Sequence, residues 1–328
     1  MKKEQRPIDI APPSKPAREY RVYPALIERC ARLEPVTTAV AHPCDESSLR
    51  GAVEAADGDL IRPLLVGPQA RIRAVAEQCG LDIAACRLVD TPHSHASAAK
   101  AVEIVRAGEA ETLMKGSLHT DELMAEVVRK EGGLRTERRI SHVFIMDVPT
   151  YAKPLAVTDA AINISPDLET KVDIVQNAIE MAHALGRELP KVAILSAVET
   201  VTPKIPSTID AAALCKMAER GQIAGALLDG PLAFDNAISK EAAEIKGIRS
   251  EVAGDADILV VPDLEAGNML AKQLSFLANA DAAGIVLGAR VPIILTSRAD
   301  TVRARMASCA VAVLLAHARR QASALGPE

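Results

Sequence analysis

From Thr37 onward the chain alternates short Val/Ile/Leu-rich runs with longer stretches whose apolar residues recur at helical spacing. A run of four to seven apolar residues has the length of a strand buried on both faces, and the amphipathic stretch after it is long enough to cross back over the sheet. Repetition of that unit dictates a parallel sheet covered by helices, an α/β fold. The spacing predicts strands over residues 37–41, 63–66, 87–89 and 113–115, with helices over 48–56, 68–79 and 94–107 between them. A second series begins near Ser141. Strands over 142–148 and 155–158 are close enough, around Pro149 and Tyr151, for an antiparallel hairpin. A long helix over 167–185 is expected next, with Ser165 as N-cap, Pro166 at its first position, and Asp167 and Glu169 near its positive end. Strands over 192–195, 225–228, 258–261, 284–287 and 293–296 and a last helix over 301–320 complete the pattern.

The chain has 328 residues, and a single core usually stops growing at roughly 250 to 300. Two domains with a cleft between them are therefore expected. Residues 1–20, with Pro7, Pro12, Pro13 and Pro16, read as a mobile lead, and their lack of an apolar core argues against a secretory signal. No apolar run approaches the roughly 20 residues that span a bilayer. The nearest, 306–316, is shorter, runs into His317, Arg319 and Arg320, and reads as a buried C-terminal helix. A net charge of −5 with no basic stripe argues against a nucleic-acid partner. Six cysteines without a CxxC pair read as small core residues of a reducing compartment, so a cytoplasmic protein is expected. Three Tyr, three Phe and no Trp leave little for a site that stacks bases on several rings, so any adenine would rest mainly on aliphatic side chains.

Three polar clusters in the C-terminal third carry the chemistry. A turn, Leu228-Asp229-Gly230-Pro231-Leu232-Ala233-Phe234-Asp235-Asn236-Ala237, precedes Pro262-Asp263-Leu264-Glu265-Ala266-Gly267-Asn268 and then Thr296-Ser297-Arg298-Ala299-Asp300. Each follows an apolar run and opens a helix, the place where open α/β folds keep their ligand sites. Further segments are Lys115-Gly116-Ser117-Leu118-His119-Thr120, Gly133-Leu134-Arg135-Thr136-Glu137-Arg138-Arg139-Ile140-Ser141-His142, and Thr158-Asp159-Ala160-Ala161-Ile162-Asn163. In this order, and over about residues 34–319, they resemble the phosphate acetyl/butyryltransferase family, closest to its butyryl-type branch.

The resemblance implies two three-layer α/β domains similar to the isocitrate/isopropylmalate dehydrogenase-like fold. Residues 21–139 plus 289–328 would form the first domain, completed by the final strand and helix, and 140–288 the second. It also implies a homodimer, reversible transfer of a short acyl group between coenzyme A and inorganic phosphate, coenzyme A as substrate, and no permanently bound cofactor.

Moving an acyl group from a thioester to phosphate requires a cationic clamp, an oxyanion donor, a home for the thiol proton and a dry cleft. Arg298 fits the clamp, because a guanidinium forks onto phosphate oxygens; the competing reading is a structural ion pair. Ser297 fits an oxyanion or phosphate donor, or alternatively a turn serine. Asp300 fits the proton acceptor, and equally the N-cap of the last helix. Acetyl-type members carry an acid six residues after the arginine, where this chain has Ala304.

The segment Lys115, Gly116, Ser117, His119 and Thr120 combines charge, close backbone approach and hydroxyls suited to phosphate or pantetheine. Acetyl-type members place an arginine soon after it; here Met124–Glu126 stand there, leaving Arg135 or Arg138 as replacements. His119 also fits a hydrogen-bonded residue at a helix entrance. Asp159 and Asn163 are expected to line the cleft. Asn268 and Lys272, one helical turn apart, share a face on which Lys272 either meets a coenzyme A phosphate or is simply solvated. Asp229, Asp255, Asp257 and Asp263 lack compact ligand spacing, and no metal site is expected. Two other readings remain open: a metal-dependent dehydrogenase of related architecture, and a non-catalytic module that binds coenzyme A or acyl phosphate.

Overall fold

A computed structural model of the chain describes residues 22–296 and 301–325. Helix α1 (Val22–Cys30) leads into β1 (Val36–Ala41), α2 (Glu46–Asp57), β2 (Ile61–Gly67), α3 (Gln69–Cys79), β3 (Arg87–Asp90), α4 (Ser94–Arg106), β4 (Thr112–Lys115) and α5 (Thr120–Val127). The second series is β5 (Ser141–Asp147), β6 (Leu155–Thr158), α6 (Leu168–Ala184), β7 (Lys191–Leu195), α7 (Pro206–Glu219), β8 (Leu227–Leu232), α8 (Phe234–Ile238), α9 (Lys240–Ile245), β9 (Ile258–Val260) and α10 (Leu264–Phe276). Strands β10 (Asp281–Leu287) and β11 (Ile293–Ile294) and helix α11 (Val302–Leu325) end it.

The strands form one mixed sheet in the order β3-β2-β1-β4-β11-β10-β5-β6-β9-β7-β8. Its two wings are parallel, as expected where a helix follows each strand. The middle is antiparallel: β10 pairs with β11 and β5, and β5 with β6 in the expected hairpin. Helices cover both faces, so central strands such as β4 and β6 are buried along their whole length. The C-terminal run 306–316 lies buried in α11, as its composition suggested, and packs with α1, α2, α6 and α7 in one core. Among the described residues no helix is long and apolar enough to cross a membrane.

Two local expectations are corrected. The N-cap of α6 is Asp167 and not Ser165: its carboxylate accepts a hydrogen bond from Thr170 N at 2.8 Å, leaving Pro166 outside the helix. A carboxylate beside the positive helix end is the stronger acceptor, which explains the choice. Asp229, Gly230 and Pro231 are part of β8 and not a turn: the pairing with β7 shifts register there, Ala193 facing Asp229 and Leu195 facing Leu232, so β8 carries the extra residue without leaving the sheet. The chain turns only afterwards, into the short helix α8.

Candidate active site

Strand β4 ends beside β1 at the carboxyl edge of the parallel wing, with Lys115 opposite Ala41. The next residue must cross the backbone leaving β1 so closely that a Cβ on Gly116 would lie 2.3 Å from the Ala41 carbonyl oxygen, which only glycine avoids. Ser117 fastens the crossing. Its hydroxyl donates to His42 O at 3.0 Å and accepts from Cys44 N at 3.2 Å. Beyond it Leu118 is buried, and His119 and Thr120 open α5. The ammonium of Lys115 folds under this turn, donating to the carbonyls of Gly116 and Leu118 at 3.2 and 3.1 Å.

Helix α10 supplies the facing wall. Asp263 caps it through Ala266 N at 2.8 Å, and Asn268 ties it to the neighbouring loop by donating to Ala160 O at 3.3 Å. Lys272 and Phe276 follow at one-turn intervals on the same side. Lys272 is exposed and makes no ion pair among the described residues, and the Phe276 ring is 82% exposed.

Between these walls lies a cavity of about 810 Å³, within the roughly 300–1,000 Å³ range of small-molecule sites. Lys115, His119 and Thr120 line it from one side, and Asn268 and Lys272 from the other. Its floor comes from His142 and Phe144 of β5 and from Asp281 and Ala282 of β10. Thr296 and Thr301 stand in the wall on either side of the segment carrying Ser297, Arg298 and Asp300, and those three lie outside the described residues. Ala304, six residues after Arg298 in the chain, is also in the wall and brings no acid to it. Asp281, buried and 3.8 Å from the Arg303 guanidinium, is the one carboxylate among the described lining residues. With Lys115 and Lys272 opposite, the site favours anions.

Gly116, Ser117, Asp159 and Asn163 are not among the lining residues. The Asp159 carboxylate accepts from the backbone of Ala161, Ile162 and Asn163 at 2.9, 3.1 and 3.1 Å and from Asn163 Nδ2 at 2.6 Å. Asn163 Nδ2 also reaches Ile140 O at 2.9 Å. The pair thereby shapes the loop that presents Ala161 to the cavity. Arg138 pairs with Glu180 at 2.6 Å, and neither it nor Arg135 lines the cavity. Asp229, Asp255, Asp257 and Asp263 are each engaged elsewhere. Asp255 and Asp257 form ion pairs with Lys153, Lys191 and Arg187, Asp229 accepts from Gly230 N, and Asp263 caps α10. Among the described residues no group of three or more His, Cys, Asp or Glu side chains is arranged to hold a metal.

His142, Phe144, Asp281 and Phe276 escaped the sequence reading as site residues. The first two carry no local signal, since alternate positions of a buried strand look alike whether they meet a cavity or a helix. His142 is 1% exposed, and its Nδ1 is buried without a hydrogen-bond partner. Burial pushes its imidazole down to about 4, against the opposing pull of the Asp159 carboxylate, so the ring is neutral at physiological pH.

The family model described as "Phosphate acetyl/butaryl transferase" matches residues 93–313. A phosphate acetyltransferase of Rhizobium meliloti is 68% identical over 300 residues, covering 92% of this chain and 95% of that protein. A phosphate butyryltransferase of Clostridium acetobutylicum is 43% identical over 284 residues, covering 87% and 94%. Among solved structures, a branched-chain phosphotransacylase of Enterococcus faecalis V583 superposes with a TM-score of 0.76 at 32% identity, covering 86% of this chain and 99% of that one.

Proposed function

Because this chain belongs to the phosphate acetyl/butyryl transferase family, we propose that it catalyses reversible transfer of a short acyl group between coenzyme A and inorganic phosphate in the cavity between α5 and α10. The observation that carries this reading is convergence. Lys115, His119 and Thr120 stand more than 140 residues from Asn268 and Lys272 in sequence, yet all five line one cavity, at the place where the 297–300 segment begins and ends.

A phosphate oxygen attacks the thioester carbonyl carbon, the carbonyl oxygen becomes an oxyanion, and the tetrahedral adduct collapses with cleavage of the C–S bond. Acyl phosphate and coenzyme A result. Arg298 grips the phosphate, Ser297 or backbone N–H groups donate to the oxyanion, and a carboxylate, with Asp300 as the sequence's candidate, exchanges the thiol proton. Attack is direct, with no acyl-enzyme. Lys272 meets a coenzyme A phosphate at the mouth, while the Leu118, Phe144 and Ala271 walls take the pantetheine arm and exclude water that would waste the thioester.

Acetyl is the first acyl group to test, given the name of the 68%-identical relative. The protein is proposed to be a cytoplasmic homodimer that needs no permanently bound cofactor. Its two lobes are proposed as 21–139 plus 289–328 and 140–288, a division supported by β11 lying beside β4 in the sheet.

The test is phosphate-dependent release of free thiol from acetyl-, propionyl- and butyryl-CoA side by side, before and after chelation. Turnover that survives chelation is expected, and absence of thiol release with every substrate refutes the reading. Arg298→Ala is expected to lower kcat at least about 100-fold. A change confined to affinity would instead favour the binding-module alternative.

A further inference from the structure

We infer that His142 donates a hydrogen bond to the carbonyl oxygen of the bound thioester, the atom that becomes anionic as phosphate adds; the inference rests on the acyl-transfer reading above. The ring is part of the cavity wall, on the strand in register with β10. It is held in one orientation: Phe144 meets it edge-on with centroids 4.3 Å apart and planes at 74°. Opposite stands Gly284, where a Cβ would come within 3.1 Å of His142 Nε2 and 2.7 Å of Leu295 O, so a side chain there would displace the ring. The same two distances put the imidazole close to the backbone leaving β11, just ahead of Thr296 and the segment that carries Ser297 and Arg298.

No described residue is hydrogen-bonded to this ring, and the buried Nδ1 is orphaned. An unpartnered polar group in a native interior calls for an explanation. Here the ring also lines the site, and its charge state narrows what it can do. An imidazole pushed down to about 4 stays neutral while the enzyme works, so it keeps one N–H donor and one lone pair. It is far too weak a base to take the proton of a thiol whose ordinary pKa is about 8.5. Donation remains. With Nδ1 sealed from solvent, Nε2–H is the donor, and a fixed neutral imidazole polarises a carbonyl without reorganising during the reaction. The Lys115 ammonium in the same wall already serves the carbonyls of Gly116 and Leu118, whereas no described residue is hydrogen-bonded to the imidazole.

The test combines two variants with a vibrational probe. In the wild-type protein saturated with acetyl-CoA, the thioester carbonyl stretch in difference infrared spectra is expected to fall below its frequency in water. His142→Phe is expected to abolish that downshift and to lower kcat about 100-fold, with KM for acetyl-CoA changed less than about threefold, the signature of a contact made in the transition state. His142→Gln, whose side-chain amide places an N–H near the position of Nε2, is expected to recover about tenfold of that loss. Wild-type spectra with no downshift at saturation overturn the inference, as does a Phe variant with unchanged turnover. Loss of activity in both variants with the downshift preserved also overturns it, marking the ring as packing. If the Phe variant fails to fold by circular dichroism, the wild-type downshift and its retention in the Gln variant decide. A wild-type protein that binds acetyl-CoA but releases no thiol with phosphate sinks the acyl-transfer reading instead, and the carbonyl spectrum still reports on His142.

Discussion

Lys272 stands exposed on the cavity wall, one turn beyond Asn268, with no ion pair among the described residues. At the proposed coenzyme A site, an ammonium without an ion pair is available to a substrate phosphate without first breaking another contact. Lys272→Ala is expected to raise KM for acyl-CoA about fivefold, roughly 1 kcal/mol, with kcat nearly unchanged. The loss should shrink with dephospho-CoA if the 3′-phosphate is the group met. Steady-state kinetics on both substrates checks this, and an equal loss with pantetheine thioesters would remove Lys272 from that role. Asp159 shows the opposite relation between residue and site. Its carboxylate is consumed by the loop it shapes, so Asp159→Ala strands the N–H groups of Ala161, Ile162 and Asn163. The expected cost is about 3 kcal/mol, measured as a lower urea midpoint.

At the scale of elements, the site depends on how β4 hands over to α5. The crossing over the end of β1 leaves 2.3 Å between the Ala41 carbonyl and any Cβ at 116, and the obstacle is backbone that cannot swing aside. Gly116→Ala is therefore expected to cost about 3 kcal/mol or more and to disturb the Lys115 and His119 positions. Thermal unfolding should show the loss, and acyl-CoA affinity should fall with it; a variant of wild-type stability and affinity would mean that the turn has another conformation. The residues of this turn divide by task. Gly116 and Ser117 build it, while Lys115, His119 and Thr120 face the cavity. The motif was legible in the sequence as a unit, because a strand end followed by Gly, hydroxyls and a helix start is a local signal. The division within it was not, since it depends on the β1 backbone more than 70 residues earlier.

At the scale of the whole molecule, one sheet carries both parallel wings through the antiparallel middle of β11, β10, β5 and β6. Its stability should fall on the acid side in two windows. His142 has a folded-state value lowered to about 4 by burial, so the unfolded chain takes up a proton first. Its contribution is complete above the ordinary histidine value of about 6.5 and is lost as pH falls towards 4. For Asp255, burial raises the carboxyl but hydrogen bonds and charge from Lys191 and Lys153 outweigh it and hold it at about 2. Its contribution is present above the ordinary carboxylate value of about 3.9 and is lost as pH falls through 2. Because Asp255 is partly exposed, water screens the pair, and less than about 1 kcal/mol is expected from it. Urea titrations from pH 7 to 2 should show both slopes; His142→Gln should flatten the first and Asp255→Asn the second. Unchanged slopes would mean that neither group titrates differently on folding.

The sequence by itself determined the class of fold, the succession of most elements and the segments from which the cavity is built. Each is written in local periodicity and in polar residues at strand ends, which act through neighbours a few positions away. It misplaced the cap of α6 and took Asp229-Gly230-Pro231 for a turn, because those outcomes depend on which acceptor the helix end meets and on how β8 accommodates an extra residue while staying paired with β7. Only the tertiary structure decided that Asp159 and Asn163 serve a loop, that Asp281 is the carboxylate of the described wall, and that His142 is a buried neutral ring facing the cavity. Those facts arise where β5 meets β10 and α10 closes over them, between groups as much as 146 residues apart, as Ser141 and Leu287 are. Burial and partnership, unlike propensity, belong to the assembled molecule.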